Sequence, residues 1–118
     1  MDDNRRETPR FQVTLYVERR EGIESAVHIK NLSSSGYLVR GDVLAGQGGI
    51  FHASFRVHPS SGDARVSTRG TVVRSVIDGS NSEFGIRIDG FGSPEEESAY
   101  QSYVRELAER SAAREAQG

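Results

Sequence analysis

The stretch NLSSSGYLV, residues 31–39, begins and ends with residues typical of β-strands and has three serines and a glycine between them. Serine favours turns because its hydroxyl bonds to nearby backbone groups, and glycine adopts conformations that other residues avoid. The stretch therefore predicts two short strands joined by a turn. It would also suit a ligand-binding loop, since hydroxyl and backbone N–H groups can bind an anion.

Alternation of apolar and polar residues extends this β pattern along most of the chain. In FQVTLYVE, residues 11–18, and in IFHASFRV, residues 50–57, every second residue is apolar, which is the period of a half-buried strand. Turn residues separate these segments from each other, and Gly70 is a candidate for a bulge. Further strands are predicted at residues 26–32, 37–40, 65–77 and 83–89.

The sequence changes character after residue 92 and predicts a helix. Ser93 suits the N-cap, Pro94 suits the first helical position, and Glu96 completes a capping-box pattern. The apolar residues that follow recur at helical spacing and define one face, which we expect to pack on the strands. They are Tyr100, Tyr103, Val104, Leu107 and Ala108.

The chain has 118 residues, which fits one compact domain. Short strands with turns between them predict a mainly β fold, an antiparallel barrel or sandwich of six or seven strands with a C-terminal helix. We expect an N-terminal arm at residues 1–10, the β-domain at residues 11–92 and the helix at residues 93–112.

Composition excludes several classes of function. The net charge is −2, so sequence-independent binding to a nucleic-acid polymer is not expected. There is no cysteine, no apolar run near the roughly 20 residues that span a bilayer, and no secretory signal, which together suggest a cytoplasmic protein without a membrane contact. His28, His52 and His58 match no metal spacing and no serine-nucleophile motif is present, so an enzyme is not expected.

Arginine is unusually prominent, with fourteen arginines and the single lysine Lys30, and RRETPR at residues 5–10 concentrates three of them. Pro9 favours an extended backbone, in which Arg6 and Arg10 point to the same side about 13 Å apart. This spacing suits two parts of a large anionic ligand. The alternative is a solvated arm whose charges are balanced by acidic neighbours.

Two interpretations also fit the serine-rich segment. By strand parity, Asn31 and Ser33 would share an exposed face with Leu32 buried between them, and Gly36 would allow a positive φ and close approach of a ligand. Alternatively the segment is only a turn in which Asn and Ser side chains bond to the local backbone.

Taken in order, R-x-x-x-R at Arg6–Arg10 and N-x-S-x-x-G at Asn31–Gly36 resemble the motifs of the PilZ domain family, small bacterial β-barrels that bind cyclic di-GMP. The segments GYLV, LAGQGG, IFHASF and GIRI and the C-terminal helix follow in the order that is typical of this family. The resemblance covers most of the chain. It implies a PilZ-like β-barrel and a cyclic di-GMP receptor without catalytic activity.

The resemblance also implies roles for single residues. Arg6 and Arg10 would hold different parts of cyclic di-GMP, because an arginine can bind phosphate or the O6 and N7 acceptors of guanine. Asn31 and Ser33 would contact a guanine edge, and Gly36 would leave room for the ligand. The arm would become ordered on binding and pass the signal to a partner protein.

Two details qualify this assignment. The family's second motif most often begins with Asp, whose carboxylate accepts two hydrogen bonds from guanine, whereas Asn31 offers one acceptor oxygen. Arg5 adds a third arginine, and in similar proteins this is associated with a stacked pair of ligands, so we expect two cyclic di-GMP molecules per chain and no other cofactor.

Rival hypotheses remain at this point. A PilZ-like module could act through protein contacts alone, without cyclic di-GMP. A small β-barrel could instead bind nucleic acid through stacking residues such as Tyr16 and Tyr37, although the net charge argues against it. The sequence leaves open whether the chain is a monomer or a dimer, and which process it controls.

Overall fold

The computed structural model describes residues 9–18, 27–41, 47–76 and 82–117. These ranges form six β-strands followed by one long helix, α1. The strands are β1 (Phe11–Tyr16), β2 (His28–Leu32), β3 (Gly36–Arg40), β4 (Ile50–Val57), β5 (Ala64–Val76) and β6 (Glu83–Phe91), and α1 is Pro94–Gln117.

All six strands belong to one antiparallel sheet with the order β1-β2-β3-β6-β5-β4. The sheet curls until its two edges meet just beyond β1, where the Glu18 N–H donates to the Ser54 carbonyl of β4 at 2.7 Å. The fold is therefore a curled half-barrel rather than a two-sheet sandwich. The prediction of a mainly β, antiparallel barrel with a C-terminal helix is confirmed, with six strands in the described ranges.

Two glycines allow the neighbouring strands to approach β6 closely. A Cβ atom on Gly36 of β3 would lie 2.2 Å from the Ile86 carbonyl oxygen, and one on Gly70 of β5 would lie 2.5 Å from the Arg87 carbonyl oxygen. Neither distance is tolerable, so only glycine fits where β3 and β5 approach β6. The β5–β6 register also shifts at Gly70, which confirms the bulge predicted there.

The concave side of the sheet holds the hydrophobic core. The apolar residues of β4 at every second position are buried as the alternation predicts, as are Leu15 of β1 and Val17 just after it. Aromatic rings occupy the centre, where Phe55 makes edge contacts with Tyr37 and Tyr100 at centroid distances of 5.6 and 6.1 Å. The core therefore joins the sheet to the helix.

Helix α1 begins as the sequence predicts but uses its capping residues differently. The Ser93 hydroxyl accepts a hydrogen bond from the Glu96 N–H at 3.2 Å, which is half of a capping box. The Glu96 carboxylate does not return to the helix start, since it accepts from the Ser67 N–H of β5 at 2.6 Å. This contact ties the first turn of the helix to the sheet.

The apolar face of α1 packs on the sheet, as expected, with Tyr100, Tyr103 and Val104 buried and Leu107 half-buried against the core. The helix continues to Gln117, five residues beyond the predicted end at residue 112. Within the described ranges, no helix has the length and apolar character that crossing a membrane requires.

Candidate functional site

The serine-rich segment between β2 and β3 is a tight turn that is stabilised from within. The Ser33 N–H donates to the Gly36 carbonyl at 2.8 Å, and the Ser33 hydroxyl donates to the same carbonyl at 3.3 Å. That hydroxyl also accepts from the Ser35 N–H at 3.3 Å. The Ser33 side chain therefore satisfies backbone groups of the turn, as a serine turn does.

Helix α1 also stabilises this turn, through two side chains. The buried Tyr100 hydroxyl donates to the Ser33 carbonyl at 2.7 Å, and the Gln101 side-chain amide donates to the Ser34 carbonyl at 3.0 Å. On the other side, the Ile88 N–H of β6 donates to the Ser35 carbonyl at 2.9 Å. The turn is thus fixed by partners distant in sequence, and none of these partners was identified as a site residue from the sequence.

The expectation that Ser33 shares an exposed face with Asn31 is wrong. Ser33 is only 2% exposed, while Asn31 is half-buried on the opposite side of the sheet from the fully buried Leu32. The physical reason is that β2 ends at Leu32, so the period-2 alternation does not continue into the turn. Of the two residues, Asn31 is the one whose side chain remains accessible.

Gly36 has a structural role that the sequence did not reveal. Its φ is not in the positive range, which among the described glycines is confined to Gly41, Gly48 and Gly62. Its lack of a side chain instead accommodates the carbonyl of Ile86, as described above. The close approach at Gly36 is therefore made by β6, and a role in leaving room for a ligand stays a prediction.

The two sequence motifs meet at Arg10 and Asn31. The Arg10 guanidinium, just before β1, donates from Nη1 to the Asn31 Oδ1 atom on β2 at 3.1 Å, across 21 positions of sequence. Because Asn31 is an uncharged amide, this bond orients Arg10 without cancelling its charge. Arg5 and Arg6, the other arginines of the first motif, lie outside the described residues.

Arg10 and Asn31 line a cleft of about 300 Å³. Its floor follows one row of residues across four strands, in which Asn31 pairs with Leu38, Leu38 with Gly85, and Gly85 with Arg74. Leu38 lies between the core residues Tyr37 and Val39, and Gly85 lies between Phe84 and Ile86, so the row lies on the outer face of the sheet. The full lining is Arg10, Asn31, Leu38, Arg74, Val76, Glu83 and Gly85.

The charges at this cleft are unevenly distributed. Among the described residues, Arg10 and Arg74 line it together with one carboxylate, Glu83. Oε2 of Glu83 accepts from the Lys30 ammonium group at 2.9 Å, and this hydrogen bond, reinforced by Arg40 and Arg74, lowers the pKa of the Glu83 carboxyl below its usual value. Glu83 is therefore ionised at neutral pH.

This arrangement suits an anionic ligand with flat, polar rings. Two guanidinium groups can bind phosphate oxygens or lie against a ring face, while Leu38 and Val76 offer apolar contact. Asn31 and the carboxylate of Glu83 can form directional hydrogen bonds with a base edge. The residues described in the structure include no group of three His, Asp or Glu side chains that could hold a metal ion.

Sequence reasoning identified Arg10 and Asn31 but missed Leu38, Arg74, Val76, Glu83 and Gly85. A local signal existed for one of them, since Gly85 begins the GIRI segment that supported the family resemblance. Arg74 reaches the cleft through the pairing of β5 with β6 and the bulge between Val72 and Arg74, and Glu83 reaches it through the pairing of β6 with β3. No local pattern reports that pairing.

The fold and the cleft define a small β-barrel-like domain with an arginine-lined cleft on the outside of its sheet. The model of the PilZ domain family matches residues 4–106, and the chain belongs to this family. PilZ domains are generally cyclic di-GMP-binding effector modules, typically without catalytic activity, and no enzyme family is indicated.

Among solved structures, the chain is similar to the inhibitor of motility MotI/DgrA of Bacillus subtilis. The sequence identity is 20%, the TM-score is 0.65, and the similarity covers 89% of this chain and 52% of that chain. The chain thus spans about half the length of that protein, and at this identity the likeness establishes the fold alone. No curated protein sequence matches the chain significantly.

Proposed function

We propose that this protein is a non-catalytic receptor for cyclic di-GMP and that the ligand binds in the outer-face cleft. The observation that supports this most strongly is the bond between Arg10 and Asn31. It brings the second arginine of R-x-x-x-R to the first residue of N-x-S-x-x-G, so that two motifs distant in sequence line one cleft.

The chemistry of the cleft supports this ligand. Cyclic di-GMP carries two phosphates and two guanines, and Arg10 can bind a phosphate or the O6 and N7 acceptors of a guanine. Arg74 can stack its guanidinium on a purine face while Leu38 contacts the base. A cleft of about 300 Å³ is at the small end for a ligand site, so it would hold one nucleotide half.

We further propose that Arg5 and Arg6 bind the remaining phosphates and the second half of the ligand. Three arginines would help to neutralise the four phosphates of a stacked pair, and two ligands per chain is the expected stoichiometry. Titration of the Arg5→Ala variant tests this number, since an unchanged stoichiometry would contradict the role of Arg5.

Within the site, Asn31 would contact a guanine edge directly and Ser33 would act indirectly, by fixing the turn that follows it. Asn31, which stands where the family usually has Asp, offers one acceptor fewer but leaves the positive charge of Arg10 uncancelled. The lost acceptor weakens binding to the guanine donors, whereas the uncancelled charge strengthens binding to phosphate.

The signal would pass to a partner protein when Arg5, Arg6 and Arg10 bind the ligand. The second candidate is a PilZ module that acts through protein contacts and binds no cyclic di-GMP. It is favoured by the structural roles of Ser33 and Gly36, which account for two motif residues without any ligand.

Isothermal titration of cyclic di-GMP into the wild type and the Arg10→Ala variant distinguishes these candidates. Loss of charge-assisted bonds should weaken binding about tenfold to a hundredfold. Arg105→Ala is the matched control, because it removes the same charge from an exposed position on α1, outside the cleft lining. Failure of the wild type to bind near micromolar ligand would leave the protein-contact module as the function.

A further inference from the structure

Glu83 is unexpected in a cleft for an anionic ligand. A carboxylate repels phosphate, yet Glu83 lines the same cleft as Arg10 and Arg74. Its side chain is 28% exposed, so ligand atoms can reach it. A negative charge at such a place weakens phosphate binding unless it forms a compensating bond with another part of the ligand.

The Glu83 carboxylate has acceptor capacity that the protein does not use. Only Oε2 is engaged within the described chain, by the Lys30 ammonium group, which leaves Oε1 for another donor. A carboxylate accepts about four hydrogen bonds, so Oε2 can accept a second one beside Lys30. Lys30 thus orients the Glu83 carboxylate and leaves it able to accept hydrogen bonds from a ligand.

Guanine is the base whose Watson–Crick edge presents two adjacent donors, N1–H and the N2 amino group, to a carboxylate. Adenine has no such pair of donors. A carboxylate that accepts both hydrogen bonds therefore selects guanine, in the way that Asp would at position 31.

We infer that Glu83 reads the donor edge of a guanine in the cleft and thereby supplies the carboxylate that position 31 lacks, an inference that rests on the proposed binding of cyclic di-GMP. Strands lie about 4.8 Å apart and residues rise about 3.3 Å along a strand, so the Cα atoms of Asn31 and Glu83 are roughly 12 Å apart. A base fits between side chains at this separation, so Glu83 and Asn31 can contact different edges of the same guanine.

Glu83→Gln tests this role, because the two explanations predict opposite signs. If Glu83 reads guanine, the variant loses one acceptor and gains a donor that opposes N1–H, so cyclic di-GMP binding weakens about tenfold or more. If Glu83 only pairs with Lys30, the variant removes a negative charge and releases Lys30, so binding tightens.

Asp89→Asn is the matched control, since it makes the same change on β6 at a carboxylate that bonds to Thr71 and Arg87 and does not line the cleft. It should leave affinity unchanged or slightly tighter. A circular dichroism melt of each variant confirms that it folds before titration.

Cyclic di-inosine monophosphate, which lacks the N2 amino group, provides a readout that is independent of overall affinity. The wild type should prefer cyclic di-GMP, and Glu83→Gln should reduce this preference about tenfold. Equal or tighter binding by Glu83→Gln, or an unchanged preference, overturns the role of Glu83 alone. Absence of cyclic di-GMP binding by the wild type overturns the proposed function and this inference together.

Discussion

Replacing Gly36 by alanine tests whether this motif residue serves the sheet or the ligand. The new Cβ would lie 2.2 Å from the Ile86 carbonyl oxygen, so β3 and β6 must separate by about 1 Å. Overpacking of this kind costs about 1–3 kcal/mol, and weakening a neighbouring ladder hydrogen bond adds about 1 kcal/mol. We therefore expect the free energy of unfolding to fall by about 2–4 kcal/mol.

Urea unfolding followed by circular dichroism measures this loss. With a slope of about 1.5 kcal/mol per molar urea, the midpoint should fall by about 1.3–2.7 M. Gly90→Ala is the matched control on β6, because nothing lies within 4 Å of its added Cβ and its φ is not positive. A Gly36→Ala variant that is as stable as Gly90→Ala, yet binds no ligand, would refute the packing argument and indicate that Gly36 serves ligand binding.

Three further predictions follow from the core and the cleft. Tyr100→Phe removes the 2.7 Å bond to the Ser33 carbonyl and should lower stability by about 1–2 kcal/mol in thermal unfolding; no change would show that the helix does not hold the turn. Burial raises the pKa of Tyr37 to about 12 and that of Tyr100 still further, while both residues titrate near pH 10 in the unfolded chain. The stabilisation that the two neutral tyrosines contribute is therefore complete below about pH 10 and is lost as the pH rises towards 12. The tyrosinate absorbance of these two buried residues should therefore rise together with unfolding, and their ionisation in the folded chain near pH 10 would contradict this. Gly85→Ala should leave stability within about 0.5 kcal/mol, since its Cβ would lie an ordinary 3.4 Å from the Arg74 Cβ, but should weaken cyclic di-GMP in calorimetry by filling the cleft floor; unchanged affinity would place the ligand elsewhere.

Local patterns predicted most of the fold because the alternation that marks strands and the residues that mark a helix start can be read from short segments. Alternation located β4 at residues 50–57, as observed, and the Ser93-Pro94 start located the helix. The helix end was placed too early, because its last turns are polar and lack the apolar spacing that marked the rest. Residues 42–46 and 78–81, which are predicted to be a loop and a turn, and residue 77, which is predicted to end a strand, lie outside the described residues.

The site was predicted only in part, for reasons of geometry. Arg10 and Asn31 stood out because each belongs to a short motif, and the structure brings them together. Ser33 was misplaced because strand parity fails where a turn begins, and Arg74 and Glu83 were missed because strand pairing, not sequence proximity, places them in the same cleft as Asn31. Register between distant strands is not encoded in any single segment.

The most direct test of the central claim is a titration of isotope-labelled protein with cyclic di-GMP, followed by backbone amide resonances. We predict the largest shifts along the cleft row of Asn31, Leu38, Gly85 and Arg74, with small shifts at exposed positions of α1 such as Arg105. An unchanged spectrum at saturating ligand, or shifts confined to residues outside this row, would contradict the assignment of the outer-face cleft as a cyclic di-GMP site.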